Sequence, residues 1–392
     1  MRLQQLHLAG FRNYRRLALN LPAGISIFCG DNGQGKSNLL EAVYLLATSR
    51  SFRTRADREL LNWNQSPAES PTGSFARVAA LVERAGNGIR LDIVIAAVPD
   101  TERKDTPAGI ATRKQIMVNG VKRQPAELVG QLMVTLFTPA DVDLVLGPPD
   151  LRRRYLDLTL SQTDRAYFRA LTSYQRVLAQ RNSLLRTLRE GHGRPEQLSF
   201  WNDELQRSAA YILDHRAAAI SRLGQLVAPN YQSLSGDDGI IGLRYVSSLD
   251  EQQPDASVGG TAERYAAALQ RLRPREVAAG MSLVGPHRDD LAFLLDGRPL
   301  AASGSRGQIR LATVALKLAE VALMRELTGE TPVLLLDDVL SELDRRRRAL
   351  LLASLASDQQ VLITATDLET FSADFLARCR RYRVEAGTVS DD

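Results

Sequence analysis

The stretch Gly30-Asp31-Asn32-Gly33-Gln34-Gly35-Lys36-Ser37 restricts what this chain can fold into more than any other. It follows the pattern Gly, four residues, Gly-Lys-Ser/Thr. It also lies between a strand-like run, Ile25 to Cys29, and a helix-like run from Asn38, the context a phosphate-binding loop requires. A sharp turn there gathers backbone N–H groups into one concavity. The helix that follows adds the positive end of its dipole, so phosphate oxygens are stabilised. Gly30, Gly33 and Gly35 permit the tight backbone around Asn32; Lys36 would reach the β- and γ-phosphates, and the Ser37 hydroxyl would ligate Mg²⁺. A glycine-rich turn that merely ends in Lys-Ser is the alternative, and the flanking strand and helix weigh against it.

Such a loop needs a carboxylate near the metal, usually at the end of an adjacent buried strand. Val333-Leu334-Leu335-Leu336-Asp337-Asp338 supplies it, with Asp337 on the metal side and Asp338 where a base or water-positioning group belongs. A strand ending in a solvated acidic turn is the bland reading. Lys36 and Asp337 are 301 positions apart, whereas a small P-loop kinase completes both motifs within about 200 residues. A large insertion is therefore expected at about 150–280, with the two ends of the chain folding together.

Ser303 to Gln308 precedes a long apolar helix from Ile309, which makes a second anion-binding device at a helix N-terminus. One nucleotide does not need two. If the second faces a γ-phosphate held by another copy, ATP would join two subunits and hydrolysis would release them, with Ser341 to Asp344 lining the joint. N-capping by Ser305 and a charged turn at 341–344 are the local alternatives.

Elsewhere, Arg2 to Leu8 and the run after Phe11-Arg12-Asn13-Tyr14 read as strands, and Asn38 to Thr48 as a helix with one apolar face. Phe75 to Glu83 and Ile89 to Val98 predict a hairpin turning at Asn87-Gly88. Asn119-Gly120 predicts another, so an antiparallel sub-sheet is expected. Residues 62–73 and 100–113 read as loops. Leu132 to Phe137, Val333 to Leu336 and Val361 to Thr364 have the continuous apolar character of buried parallel strands. From Leu151 to Glu190 there is no glycine or proline, which predicts one long helix or two; a second helix is expected from Trp201, stopped by Pro229, and a third ends before Pro274. Met281 to Val284 reads as a strand leading into Gly285-Pro286-His287-Arg288-Asp289-Asp290.

Residues 151–190 carry nine arginines against three acids, an excess that exceeds the whole chain's net charge of +5. Arg152, Arg165, Arg169 and Arg176 are accordingly candidates for sequence-independent contacts to the phosphates of a nucleic acid, which the charge permits without requiring; a solvated face whose arginine stems pack on apolar surface is the alternative. His287, Asp289 and Asp290 on one turn read as a hydrogen-bonding group rather than a metal cluster. Two cysteines are too few for a disulfide framework, and no run of about 18 apolar residues exists. A cytoplasmic protein with no membrane partner is expected.

These residues resemble the RecF family of bacterial DNA-repair proteins, whose heads are similar to those of SMC proteins and ABC-type ATPases. The resemblance runs through Phe11 to Tyr14, Gly30 to Ser37, Arg50-Ser51-Phe52-Arg53-Thr54 and Phe137 to Leu144. It continues through Arg153 to Asp157, Gly285 to Asp290, Ser305-Arg306-Gly307-Gln308 and Leu334 to Asp344. It implies an α/β fold: an ABC-type P-loop ATPase head with a mixed sheet and an antiparallel β sub-sheet, built from 1–149 and 281–392, with a mainly helical arm inserted at 150–280. It also implies ATP and Mg²⁺ as cofactors, Arg12 and Asn32 beside the nucleotide, and Asp338 as general base. Ser305, Gly307 and Gln308 would contact the nucleotide of the opposite subunit, and Thr366 would take the switch position that related ATPases give to histidine. Function would be an ATP-dependent homodimer, a weak DNA-stimulated ATPase, that clamps double-stranded DNA near single-strand/double-strand junctions. With RecO and RecR it would load RecA on gaps during replication, damage repair and the SOS response. Arg306, where transporters have glycine, and Ala140, where an acid is expected, depart from the wider pattern. A transport ATPase subunit and a small-molecule kinase are the other readings; the basic arm fits the first poorly, and no acceptor pocket is legible for the second.

Overall fold

The computed structural model describes residues 1–62, 74–99, 110–236, 239–252, 259–355 and 358–392. The expected loop at 62–73, apart from Asn62, and most of that at 100–113 lie outside them. In chain order the main elements are β1 (Arg2–Phe11), β2 (Tyr14–Asn20), β3 (Ile25–Cys29), α1 (Lys36–Thr48), β4 (Phe75–Arg84), β5 (Asn87–Pro99), β6 (Ile110–Val118), β7 (Val121–Arg123) and β8 (Val134–Phe137). There follow α2 (Pro149–Thr163), α3 (Arg165–Arg189), α4 (Leu198–Ser235), β9 (Ile241–Val246), α5 (Thr261–Ala279), β10 (Asp290–Leu295), β11 (Arg298–Pro299) and α6 (Arg306–Thr328). The chain ends with β12 (Val333–Asp337), α7 (Arg345–Ala353), β13 (Val361–Ala365), β14 (Cys379–Glu385) and β15 (Thr388–Asp391). Two compact units result: Met1–Ala140 with Met324–Asp392, and Asp141–Leu323.

The first unit contains two six-stranded sheets. One, in the order β15-β14-β3-β13-β12-β8, is parallel except for β15. Its inner strands β12 and β13 are buried along their whole length, which is why they read as unbroken apolar runs. β14 and β15 escaped the sequence reading because Arg380, Arg381 and Arg383 face solvent; only Tyr382, stacked on Phe28 at 5.0 Å, and Val384 turn inward.

The other sheet, β2-β1-β4-β5-β6-β7, is antiparallel. Asn119-Gly120 turns its hairpin as expected. The β4–β5 turn instead falls on Ala85-Gly86, with Arg84 opposite Asn87, two residues before the expected Asn-Gly. Ile110 to Arg113 belong to β6 rather than to a loop. Helix α1 packs on β12 and β13 of one sheet and on β4 and β5 of the other. Consequently nearly all of it is buried, not the single face its pattern suggests.

The second unit is mainly helical, with the small sheet β11-β10-β9. The arginine-rich stretch is two helices. Asp164 separates them, and its carboxylate caps α3 by accepting from the Ala166 N–H at 2.7 Å. Pro229 and Pro274 lie inside α4 and α5 instead of ending them. A proline forfeits one backbone bond, and buried Val227, Tyr231 and Leu234 on either side of Pro229 carry α4 across it. Met281 to Val284 is not a strand: the Ser282 and Leu283 N–H groups donate to the side chains of Asn182 and Glu276. Among the described residues no helix is long and apolar enough to cross a membrane.

Candidate nucleotide site

The loop Gly30 to Gly35 joins β3 to α1 at the end of the parallel sheet. Gly35 has φ 115°, and a Cβ there would press on the Asn13 side chain, so only glycine suits the position. Lys36, largely buried, donates its Nζ to the carbonyls of Gly30 and Asp31, the latter at 2.9 Å. The ammonium is thereby folded back over the loop. Asp31, Asn32 and Gly33 are exposed.

Parallel pairing of β3 with β13 and of β13 with β12 aligns the end of β12 with the start of α1. Ser37 Oγ donates to Asp337 Oδ1 at 2.7 Å across 300 positions, and Thr364 Oγ1 donates to the same oxygen at 2.9 Å. Burial raises the Asp337 pKa, and the two hydroxyls and the charge of Arg53 oppose that rise. Asp338 follows with φ 54° and ψ 18°, left-handed backbone that Asp tolerates better than most residues. This turn lets its N–H donate to Thr364 Oγ1 at 3.0 Å and leaves the residue half-buried at the strand end. Thr366, just beyond β13, is exposed and accepts from Cys29 Sγ at 3.4 Å through its carbonyl.

Arg12 is held against α1. Its guanidinium grips buried Glu41 with two bonds, at 2.8 and 2.7 Å, and donates to the Glu59 carbonyl at 2.8 Å. Glu41 also accepts from Ser51 Oγ, which in turn accepts the N–H groups of Arg53 and Thr54. The Arg-Ser-Phe-Arg-Thr stretch is thus laced to α1. Sequence reasoning missed Glu41, although a lone carboxylate in an otherwise apolar helix signals a buried partner.

In the second unit, Ser305 caps α6: Gln308 N–H donates to Ser305 Oγ at 3.2 Å, and Ser305 N–H to Gln308 Oε1 at 2.8 Å. This reciprocal capping box realises the local alternative; Ser305 stays exposed, with Gly307 and Gln308 partly so. Asp141 pairs with Lys317 at 3.9 Å, and Lys317 with Glu320 at 3.2 Å. Arg165, Arg169 and Arg176 are exposed on α3. Arg152 is not: it is largely buried and holds Asp290 with two bonds, at 2.7 and 2.8 Å, because Asp290 opens β10 beside α2.

The Gly285 to Asp290 turn is a polar junction, buried at Gly285, Pro286 and Asp289, half-buried at His287 and Asp290, and exposed at Arg288. His287 Nδ1 lies 2.6 Å from Tyr174 OH and its Nε2 3.2 Å from the Ser282 carbonyl. Asp289 accepts from Tyr245 OH, Ser248 N–H and Ser248 Oγ. Both side chains are thus satisfied by internal hydrogen bonds, and among the described residues no cluster suited to a metal occurs.

The family model described as RecF/RecN/SMC N terminal domain matches residues 2–387. The chain is 47% identical over 394 residues to the DNA replication and repair protein RecF of Chloroflexus aurantiacus, covering 99% of each. It is 40% identical over 392 residues to that of Heliobacterium modesticaldum, covering 100% of this chain and 99% of the relative. The solved structure of the recombination mediator protein RecF with ATP, from the RecFOR pathway, superposes with a TM-score of 0.84 at 28% identity, covering 100% of this chain and 97% of that one. An SMC head bound to the C-terminal winged-helix domain of ScpA superposes at 0.53 with 15% identity over 100% of this chain and 96% of that one, a likeness of fold.

Proposed function

The chain belongs to the RecF family of DNA replication and repair proteins, and from that membership and the geometry of the loop we propose that it is an ATP-dependent recombination mediator. The observation that carries this reading is the contact between Ser37 and Asp337. It closes a phosphate loop and a strand-end acid into one site from opposite ends of the chain. ATP binds at Gly30 to Ser37, a reading supported by the solved RecF relative described with ATP. A hydroxyl and a carboxylate oxygen 2.7 Å apart are the hard donors that suit magnesium. Ser37 and Asp337 would hold Mg²⁺, which when bound offsets phosphate charge. Lys36 neutralises the β- and γ-phosphates, and Asp338 stands where it can orient or deprotonate the attacking water.

The finer mechanism is a homodimer sealed by nucleotide. Ser305, Gly307 and Gln308, exposed or partly exposed at the N-terminus of α6, complete the site of the opposite subunit. Thr366 is exposed beside the loop's own strand. Residues 150–280 serve as the arm of the ATPase head, and exposed Arg165, Arg169 and Arg176 contact DNA phosphates near single-strand/double-strand junctions. RecO and RecR are the partners. Arg12, committed to Glu41, acts by fixing α1, and Arg152 by fixing β10.

The test is light scattering with and without ATP on wild type, Lys36→Ala and Ser305→Ala. Wild type is expected to double in mass with ATP, Lys36→Ala to lose nucleotide binding, and Ser305→Ala to bind ATP as a monomer. Normal dimerisation of Ser305→Ala overturns the cross-subunit role.

A further inference from the structure

The phosphate loop is braced from outside by the turn between the last two strands. β14 runs parallel to β3, pairing Cys379 with Ile25 through Arg383 with Cys29, so it delivers its end to the point where β3 becomes the loop. There the backbone is in close contact: a Cβ at Gly30 would collide with the Val384 carbonyl oxygen. The β14–β15 turn then crosses the loop. Ala386 N–H donates to Gln34 Oε1 at 2.7 Å, and Gly387 N–H donates to the Gln34 carbonyl at 3.1 Å. Asn13, in the β1–β2 turn, donates its Nδ2 to that same carbonyl at 2.8 Å. Gln34 is therefore clasped by its side chain and its backbone, from two turns that lie 21 residues before it and 352 after it.

The consequence follows from peptide geometry. In a planar trans peptide the C=O of one residue and the N–H of the next point in opposite directions. Two donors that hold the Gln34 carbonyl toward the hairpin and Asn13 turn the Gly35 N–H the other way. Phosphate recognition by such a loop depends on the direction of these backbone N–H groups.

We propose that Gln34, Ala386 and Gly387 are positioning residues for the nucleotide: the C-terminal hairpin turn, acting through Gln34, holds the phosphate loop in its binding conformation. The proposal rests on the reading that ATP binds at this loop. By linkage, a loop conformation favoured by the turn and selected by ATP makes each stabilise the other. ATP should therefore tighten the turn even though its groups touch Gln34 and not the phosphates.

The experiment combines affinity for a fluorescent ATP analogue with hydrogen exchange of the Ala386 and Gly387 amides. Gln34→Ala removes one acceptor and should weaken nucleotide binding about three- to tenfold, the range for one hydrogen bond. Gly387→Ala, at φ 77° and with its Cβ driven onto the Asn13 carbonyl, displaces the turn and should weaken it further. Thermal unfolding without nucleotide checks that both variants fold. In wild type, ATP should slow exchange at Ala386 and Gly387, and in Lys36→Ala it should not. Wild-type affinity in Gln34→Ala, or turn amides that exchange equally with and without ATP, overturns the clasp. If Lys36→Ala binds the analogue as wild type does, the underlying site assignment fails instead.

Discussion

His287 is held between the Tyr174 hydroxyl and the Ser282 carbonyl, and burial lowers its pKa from 6.5 to about 4. The folded protein thus keeps it neutral where the unfolded chain would protonate it. Between about pH 6.5 and pH 4 the unfolded state binds the extra proton, so stability falls as pH falls through that window. From pH 7 to pH 5 the loss attributable to this residue is about 2 kcal/mol. Glutamine at this position can still accept from Tyr174 and donate to Ser282, yet does not titrate. Urea unfolding at the two pH values should therefore show a smaller acid loss in His287→Gln than in wild type; equal losses would mean that burial does not suppress protonation here. The sequence suggested a hydrogen-bonding role for this turn, but its partners could not be read. Tyr174 lies 113 positions away on α3, and nothing local selects one tyrosine among ten.

Among the elements, the β4–β5 hairpin shows how local rules compete. Asn87-Gly88 is the stronger turn signal, yet the strands pair from Arg84 opposite Asn87 to Phe75 opposite Ala96, with buried Val82 opposite half-buried Ile89 and buried Ala80 opposite buried Leu91. A turn at Asn87-Gly88 would slide β4 and β5 by four positions, an even shift that keeps each side chain on its face but undoes the observed pairing, in which β4 also pairs with β1 and β5 with β6; Ala85 accordingly accepts φ 47° ahead of Gly86. Ala85→Asn, a residue suited to that backbone, should stabilise the protein by about 1 kcal/mol, read as a rise in the urea midpoint. The same hierarchy keeps Pro229 inside α4. Where packing was uniform the elements were legible: β12 and β13 are buried throughout, and their apolar runs announced them. Where one face is wet, as in β14, alternating arginines concealed the strand.

For the molecule as a whole, the proposed contact of the exposed α3 arginines with DNA phosphates makes binding a matter of salt. Replacing Arg165, Arg169 and Arg176 by alanine should reduce the slope of log affinity against log salt by about 1 for each phosphate no longer neutralised. Arg152→Ala should leave that slope unchanged and lower stability instead, because it strands Asp290. A triple variant with an unaltered slope would move the DNA surface elsewhere. The sequence by itself determined the chemistry of the parts: a glycine-bearing loop ahead of a helix, an acidic pair ending an apolar strand, a serine at a helix start, and a concentration of arginine. Such features obey rules that operate over a few residues. Only the tertiary structure decided which parts meet, that Ser37 touches Asp337 across 300 positions, that Arg12 and Arg152 turn inward, and that the final hairpin clasps Gln34. Those pairings are set by strand register and by the burial of whole faces, which no short window of sequence contains.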